Sequence, residues 1–144
     1  MNASYIDFLI LIAGELVVWA NHLTGSVPGE IMELPNIRII ELSNNTLTGT
    51  IPPKVHADSN LKNISFANNF MDGPIPEAIT DAQELLILNL GNNAFTGTIP
   101  EKLGTLNLMY LGLEHNDFTG TVADGLASLS FGKCIFGNLF GHYP

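Results

Sequence analysis

The sequence has few of the residues that support disulfides, metal centres or contacts with polyanions. Its single cysteine, Cys134, excludes an internal disulfide and a cysteine-rich metal site. Only 5 residues are lysine or arginine, against 14 aspartates and glutamates, which gives a formal net charge of −9. Because an acidic chain repels phosphate groups, neither nucleic acid nor an anionic membrane surface is expected as a partner.

Charged residues as a whole are also scarce. They make up 13% of the 144 residues, whereas hydrophobic residues make up 46%. Disordered chains show the opposite balance, with much charge and little apolar surface to bury. The composition therefore excludes intrinsic disorder, and the length predicts one domain with a sizeable core.

A repeat of about 24 residues organises the chain. Its clearest copies are NHLTGSVP from Asn21, NTLTGTIP from Asn45, NAFTGTIP from Asn93 and NDFTGTVA from Asn116. NFMDGPIP, which begins at Asn69, fills the gap, so that successive asparagines are 24, 24, 24 and 23 residues apart. Five such repeats predict an array in which each repeat packs on its neighbours.

Apolar residues before each asparagine predict one short strand per repeat. In the last four repeats they stand eight, five and three positions upstream: Ile37, Ile40, Leu42; Leu61, Ile64, Phe66; Leu85, Leu88, Leu90; and Leu108, Leu111, Leu113. The first repeat is looser, with Ala13, Leu16 and Val18. Since side chains alternate along a strand, the last two positions of each set share the inward face.

The asparagines are predicted to form a ladder, because an amide side chain both accepts from and donates to backbone groups of adjacent turns. The predicted ladder consists of Asn21, Asn45, Asn69, Asn93 and Asn116. The apolar residue that follows each one is predicted to point into the core: Leu23, Leu47, Met71, Phe95 and Phe118. Proline then ends the extended segment before a short helical turn such as EAITDAQEL.

The segments LSNNTLTGTIP and LGNNAFTGTIP resemble the plant-type leucine-rich repeat, whose pattern is LxxLxLxxNxLxGxIPxxLxxL. The resemblance covers residues 13–129. It implies an α/β repeat fold: a right-handed solenoid of about five 24-residue repeats with a concave parallel β-sheet and short helical or irregular convex segments. A second short sheet is implied for the LTGxIP segment. The family occurs in plant receptor ectodomains, in inhibitors of cell-wall-degrading enzymes, and in algal and protist proteins, which implies an extracellular or cell-surface location.

Both ends of the chain lie outside the repeat domain. Residues 1–12 are either an apolar cap that merges into the first repeat or a weak signal segment. Asp7 and the lack of a preceding basic residue favour the cap. Residues 130–144 are either a C-terminal cap or a degenerate sixth repeat around Asn138. Plant ectodomains of this family usually carry paired cysteines in their caps, and this chain departs from that pattern.

Ligands of leucine-rich repeats usually dock on the concave sheet, so the resemblance implies contacts from its outward residues. We expect these contacts from Trp19, Glu41, Ser43, Ser65, Asn89, Tyr110, Glu114 and His115. Trp19 and Tyr110 are the strongest candidates, because tryptophan and tyrosine often dominate binding energy. Trp19 has a second interpretation, in which it covers the N-terminal edge of the solenoid.

The run from Glu114 to Asp117 contains a glutamate, a histidine and an aspartate, which a metal or acid–base site would need. Solvated side chains at one strand end are the favoured interpretation, because Asn116 belongs to the ladder. We find no paired carboxylates and no Ser/His/Asp or Cys/His arrangement. The sequence therefore predicts no enzyme activity, cofactor or metal.

Three asparagines, Asn2, Asn44 and Asn63, fit the N-x-S/T acceptor pattern for glycosylation. Asn44 and Asn63 fall on outward positions of the concave sheet. Glycans there would obstruct this face and move binding to a lateral edge.

These features favour a monomeric, non-catalytic recognition module for a protein, peptide or glycan. The resemblance implies a receptor-like ectodomain or fragment that binds through its concave face or lateral edge and is attached to a membrane only as part of a longer receptor. The alternative is a structural or surface-active role, including ice or mineral binding, because TGS and TGT segments at 24, 48, 96 and 119 would stack hydroxyl groups. An inhibitor of a secreted hydrolase is a special case of the recognition module and differs from it only in the partner that it binds.

Overall fold

The computed structural model describes residues 14–56 and 58–121, together with Leu126 and the backbone of Cys134–Ile135. The expectations for residues 1–12, including Asn2, and for the region around Asn138 lie outside the described residues. The described strands are β1 (Glu15–Val17), β2 (Thr24–Gly25), β3 (Ile39–Glu41), β4 (Thr46–Gly49), β5 (Asn63–Ser65), β6 (Phe70–Gly73), β7 (Ile87–Asn89), β8 (Ala94–Gly97), β9 (Tyr110–Gly112), β10 (Asp117–Phe118) and β11 (Cys134–Ile135).

The strands form two parallel sheets, one on each side of the ladder asparagines. The first sheet has six strands in the order β1-β3-β5-β7-β9-β11, and the second has five in the order β10-β8-β6-β4-β2. Each strand pairs with the strand one repeat away, so that Ile40 aligns with Ile64 and Ile64 with Leu88. The predicted parallel sheet and second short sheet are thus both present.

The convex side carries short 3-10 helices. They span Gly29–Glu33, Glu77–Asp81 and Glu101–Thr105, and each follows a proline. Proline fixes φ near −65° and lacks an N–H, which suits a residue just before a helix. At five residues each, the tighter 3-10 geometry replaces the α-helical turn, as is common for such short pieces.

The core lies between the two sheets and the convex segments. Side chains stack there by repeat position, and Ile40, Ile64, Leu88 and Leu111 are completely buried. Phe95 and Phe118 continue this stacking in the last described repeats, with ring centroids 6.4 Å apart and planes inclined by 11°. Burial of apolar side chains at the same position of successive repeats stabilises the packing of each repeat on the next.

Leu23 differs from its predicted position. Its side chain is 39% exposed, whereas the equivalent Leu47, Met71, Phe95 and Phe118 are buried. Leu23 lies beside β2, which is the outermost strand of the second sheet and has one neighbour there, β4. Because a side chain in this array is covered by the repeats on both sides, the outermost position remains partly open.

Four of the five predicted ladder asparagines join their repeat to the one before it, whereas Asn21 bonds to Val18 and Trp19 of its own turn. The Leu47 N–H donates to Asn69 Oδ1 at 3.0 Å, and Asn69 Nδ2 donates to the Leu42 carbonyl at 3.1 Å and to the Phe66 carbonyl at 3.0 Å. Asn45, Asn93 and Asn116 make the same set of bonds. These bonds satisfy backbone groups that the turn would otherwise leave unpaired.

The residue before each ladder asparagine adopts a left-handed backbone. Its φ is 53° at Ala20, 57° at Asn44, 55° at Asn68, 56° at Asn92 and 52° at His115. Asparagine tolerates this conformation better than most residues. The three inner repeats carry asparagine and the repeat of Asn116 carries histidine, both of which are enriched in this conformation, whereas the first repeat carries alanine.

Candidate ligand-binding face

The outward side of the first sheet, here called the concave face, holds a shallow depression of about 340 Å³. Its lining consists of Trp19, Glu41, Ser43, Asn44, Ser65, Ala67, Asn68 and Asn89. Five of the predicted ligand contacts therefore lie together in one depression. The other three, Tyr110, Glu114 and His115, lie on β9 or just after it, next to β7.

Small side chains form the floor of this depression. Ser43 and Ser65 are only 8% and 3% exposed, and their hydroxyl oxygens are 2.6 Å apart. Ala67 and Gly91 continue the buried floor toward the C-terminal repeats. Because the two serine hydroxyls bond to each other, they shape the floor and project little toward a ligand.

Exposed apolar side chains stand at the N-terminal end of the concave face. Trp19 is 59% exposed and Val17, on the same face of the chain, is 48% exposed. Nearby, the Arg38 guanidinium lies 3.6 Å from the Glu15 carboxylate, in the only ion pair among the residues that the structure describes. The exposure of Trp19 leaves its indole ring available to a ligand.

Polar side chains occupy the other end, where two glycines leave room for them. A Cβ added to Gly112 would lie 2.5 Å from Asn89 Oδ1 and 2.9 Å from the Tyr110 hydroxyl oxygen. A Cβ added to Gly91 would collide with the Glu114 carboxylate. The side chains of Asn89, Tyr110 and Glu114 thus lie across the backbone of the two glycines. Outward-facing glycines in adjacent repeats were a signal of this arrangement that sequence reasoning missed.

The charge of Glu114 acts on Tyr110. Burial, and secondarily the negative charge of Glu114, raise the pKa of the Tyr110 hydroxyl above its ordinary value of 10.0. Glu114 Oε2 is itself buried and has no hydrogen-bond partner among the described residues. The C-terminal end of the face is therefore rich in hydrogen-bond acceptors and negative in charge.

The run from Glu114 to Asp117 does not form one site. Glu114 lies over Gly91 on the concave face, Asn116 Oδ1 accepts from the Phe95 N–H at 2.9 Å, and Asp117 begins β10 of the second sheet. Within residues 14–56 and 58–121, no three or more histidine, cysteine or acidic side chains are placed to hold a metal ion. The geometry separates the groups that the acid–base interpretation would have needed together.

The two acceptor asparagines in the described residues differ in exposure. Asn44 is exposed at the rim of the depression, whereas Asn63 is half-buried and its Oδ1 has no partner in the described structure. An exposed amide is the better acceptor for a glycan. Glycosylation at either position stays a prediction.

In the part of the chain that the structure describes, no helix has the length and apolar character to cross a membrane.

Comparison with known proteins agrees with this geometry. The family model of the Leucine Rich Repeat matches residues 36–56 and 84–106. No curated protein matches the chain in sequence. The fold and the face together define a solenoid of parallel-stranded repeats with an open concave surface.

Several solved plant structures have the same fold. The ectodomain of the receptor kinase GASSHO1/SCHENGEN3 from Arabidopsis thaliana, in complex with CASPARIAN STRIP INTEGRITY FACTOR 2, superposes with a TM-score of 0.78 at 29% identity, over 84% of this chain and 15% of that one. The plant peptide hormone receptor RGFR1 in complex with RGF2 gives 0.70 at 30% identity, over 80% and 18%. A plant ice-binding protein gives 0.73 at 31% identity, over 79% and 38%.

The chain belongs to the leucine-rich repeat proteins, and its repeats are of the plant type. It spans 15% and 18% of the length of the first two of these structures. The ligands in those structures bind those much longer receptors.

Proposed function

We propose that the chain is a non-catalytic recognition module, a leucine-rich repeat ectodomain or a segment of one, that binds an extended peptide or protein segment across its concave face. The observation that carries this proposal is the open depression that runs from Trp19 across neighbouring strands to Asn89. Its buried floor of small side chains leaves space for a ligand, and the exposed indole of Trp19 offers an apolar anchor.

The comparisons support a protein or peptide as the ligand in preference to a glycan. Two of the similar structures are receptor ectodomains in complex with a peptide hormone or a factor named as their partner. The same likeness supports an extracellular or cell-surface location, with membrane attachment only through a longer receptor. An inhibitor of a secreted hydrolase would use the same face and differ only in its partner.

The test is selection of ligands from a random peptide library displayed on phage, with the full chain immobilised, followed by calorimetry of the selected peptides. Trp19→Ala and Tyr110→Ala should each weaken binding by about tenfold or more, the effect typical of an anchor residue. Phe70→Ala is the matched control, because Phe70 is equally exposed, at 65%, but lies on the second sheet. Selected peptides that lose affinity with Phe70→Ala and not with the other two would place the site elsewhere.

Secretion into a glycosylating host tests the exposed acceptor, because a glycan at Asn44 would obstruct the concave face and move binding to a lateral edge. Wild-type protein should gain mass that a glycosidase removes, and Asn44→Gln should reduce that gain. Asn68→Gln is the control, because Asn68 occupies the equivalent left-handed position but is followed by Asn69-Phe70, which is not an acceptor pattern. An unchanged mass of the secreted wild-type protein would contradict the prediction.

Ice binding is a second candidate function, favoured by the second sheet and by the likeness to a plant ice-binding protein. Thr24, Thr48, Thr96 and Thr119 are exposed at the same position of four repeats, and Asp72 interrupts this column on β6. Strands lie about 4.8 Å apart, and the pairing of Thr24 with Thr46 and of Thr48 with Phe70 shifts the equivalent position by two residues at each strand, so that the hydroxyls recur in a staggered row. If ice binding is correct, thermal hysteresis should be measurable and should increase with Asp72→Thr. No hysteresis in either protein at high concentration would exclude it.

A further inference from the structure

Two glycines on the concave face hold open a place where three polar side chains come together. Gly91 follows β7 and Gly112 ends β9, and neither has a positive φ, so their lack of a side chain is not required by the backbone. Instead, Glu114 lies over Gly91, and Asn89 and Tyr110 lie over Gly112. A larger residue at either glycine would displace these side chains.

The Asn89 amide oxygen and the Glu114 carboxylate lack strong donors among the described residues. Within that part of the chain, Asn89 Oδ1 accepts one bond, a long one from the Gly91 N–H at 3.3 Å. Glu114 Oε2 is buried without a hydrogen-bond partner in the described residues, and the only ion pair among those residues joins Arg38 to Glu15. A buried carboxylate oxygen that lacks a partner raises the free energy of the unliganded protein. A ligand that supplies hydrogen-bond donors and a positive charge would remove this cost.

We propose that Glu114, Tyr110 and Asn89 form a subsite for a cationic group, an ammonium or guanidinium, on the peptide that the proposed function assigns to the concave face. Such a group carries several N–H donors and no acceptor, which complements three oxygen atoms. Its bonds to a carboxylate are the strong, charge-assisted kind. The Tyr110 ring adds an aromatic surface that attracts cations. Since the subsite receives part of that peptide, the inference rests on the proposed function.

The distance between the subsite and Trp19 predicts how far apart the basic group and the apolar side chain of the ligand lie. Trp19 and Glu114 occupy the same position, two residues before the ladder asparagine, in repeats separated by four strand steps. At about 4.8 Å per strand the two side chains are roughly 19 Å apart along the sheet. An extended peptide advances about 3.3 Å per residue, so its basic group lies about six residues from the apolar side chain that contacts Trp19 and Val17.

The experiment uses the peptides selected from the phage library on the full chain. We expect them to be enriched in arginine or lysine about six residues from an aromatic or large apolar residue. Calorimetry of one such peptide should show binding to Glu114→Gln weakened about tenfold or more, and wild-type binding weakened by added salt. Gly91→Ala should weaken it too, because it keeps the charge but displaces the carboxylate.

Two controls isolate the charge. Glu84→Gln removes an exposed carboxylate from the turn after the second 3-10 helix and should leave affinity unchanged. A peptide with citrulline in place of arginine should bind wild-type protein and Glu114→Gln equally. A peptide synthesised with an acetylated N-terminus distinguishes the two sources of an ammonium group, because its α-amine carries no charge and its lysine side chains are unmodified.

The outcomes separate this inference from the proposed function. Peptides that bind through Trp19 without an enriched basic residue, and with equal affinity for Glu114→Gln and Gly91→Ala, would overturn the subsite and keep the proposed function. Failure to select any peptide would overturn both. Circular dichroism checks that the variants fold, which we expect, since no hydrogen bond of the Glu114 side chain occurs in the described structure.

Discussion

The first and third repeats share a sequence motif but differ in how much of it is buried. Asn69 is buried and bonds to the second repeat through the Leu47 N–H and the Leu42 carbonyl. Asn21 is exposed, and within the described residues its amide donates to carbonyls of its own turn alone, those of Val18 and Trp19. In the described structure, the equivalent asparagine thus joins two repeats in the interior and closes a single turn at the first repeat. Most of what the motif contributes to stability therefore comes from the neighbouring repeat.

The largest difference between the two repeats is expected for substitution of the ladder asparagine. Asn69→Ala leaves the Leu47 N–H without its side-chain partner and removes one of the two amide donors to the Leu42 carbonyl, which keeps its bond from Asn45 Nδ2. A buried unpaired N–H costs about 1–3 kcal/mol, so we expect the free energy of unfolding to fall by about 2 kcal/mol. Asn21→Ala should lower it by less than about 1 kcal/mol, because its partners are exposed. Urea unfolding followed by circular dichroism measures both, and equal losses would contradict the comparison.

A smaller contrast is expected for the glycine of the second sheet. Gly25 and Gly73 have φ of 83° and 75°, which costs any other L-residue about 1–2 kcal/mol. A Cβ on Gly73 would also lie 2.8 Å from Thr50 Cγ2, whereas nothing lies within 4 Å of one on Gly25. Gly73→Ala should therefore destabilise the protein more than Gly25→Ala, by roughly 1 kcal/mol.

The control for this contrast is Gly73→Ala combined with Thr50→Ser, which removes the contacting methyl group. The double variant should recover most of the extra loss in the same urea titration. If it does not, steric contact with the second repeat is not the reason for the difference.

A modest gain in stability is expected at the left-handed position of the first repeat. Ala20 has φ of 53°, and the inner repeats carry asparagine at this position. Ala20→Asn should raise the free energy of unfolding by about 0.5–1 kcal/mol, because asparagine tolerates the left-handed region better than alanine. Asn68→Ala is the reverse change in the third repeat and should cost a similar amount. A loss of stability with Ala20→Asn would show that the turn of the first repeat has other requirements.

The smallest effect is expected for the pKa of Tyr110, which lies at the polar end of the concave face, opposite the apolar end that contains Trp19. Burial and Glu114 raise the pKa of the Tyr110 hydroxyl in the folded protein above its ordinary value of 10.0. The protonated hydroxyl therefore makes its full contribution to the free energy of unfolding below pH 10.0, and this contribution decreases as the pH rises through the folded-state pKa. Titration of the tyrosine ring carbon by NMR should show a lower pKa for Tyr110 in Glu114→Gln, which removes the charge and leaves the burial. An unchanged pKa would mean that the two side chains are not close in solution.

Much of the fold could be predicted from the sequence because the spacing of apolar residues repeats. Ile40, Ile64 and Leu88 recur every 24 residues, and each is followed two positions later by another apolar residue, which is the spacing of one face of a strand. The exposure of Leu23 could not be predicted in this way, because its motif is the same as that of Leu47. What differs is the number of neighbouring strands, which is a property of the assembled array.

The candidate site was predictable in outline only. Alternation along the strands placed Trp19 and Tyr110 on the concave face, but not the burial of Ser43 and Ser65, which depends on the packing of adjacent strands. The role of Gly91 depends on the direction in which Glu114 turns. Side-chain directions of this kind follow from three-dimensional neighbours and have no periodic signal in the sequence.

The ladder also has a direction. Among the described residues, every side-chain bond that joins two repeats through a ladder asparagine runs to the earlier repeat: Asn45 bonds with Val18 and Leu23, and Asn116 with Leu90 and Phe95. During synthesis, the earlier repeat leaves the ribosome first. Each of these asparagine side chains therefore emerges when its partners in the earlier repeat are already present, and its amide can bond to a repeat that has been translated before it.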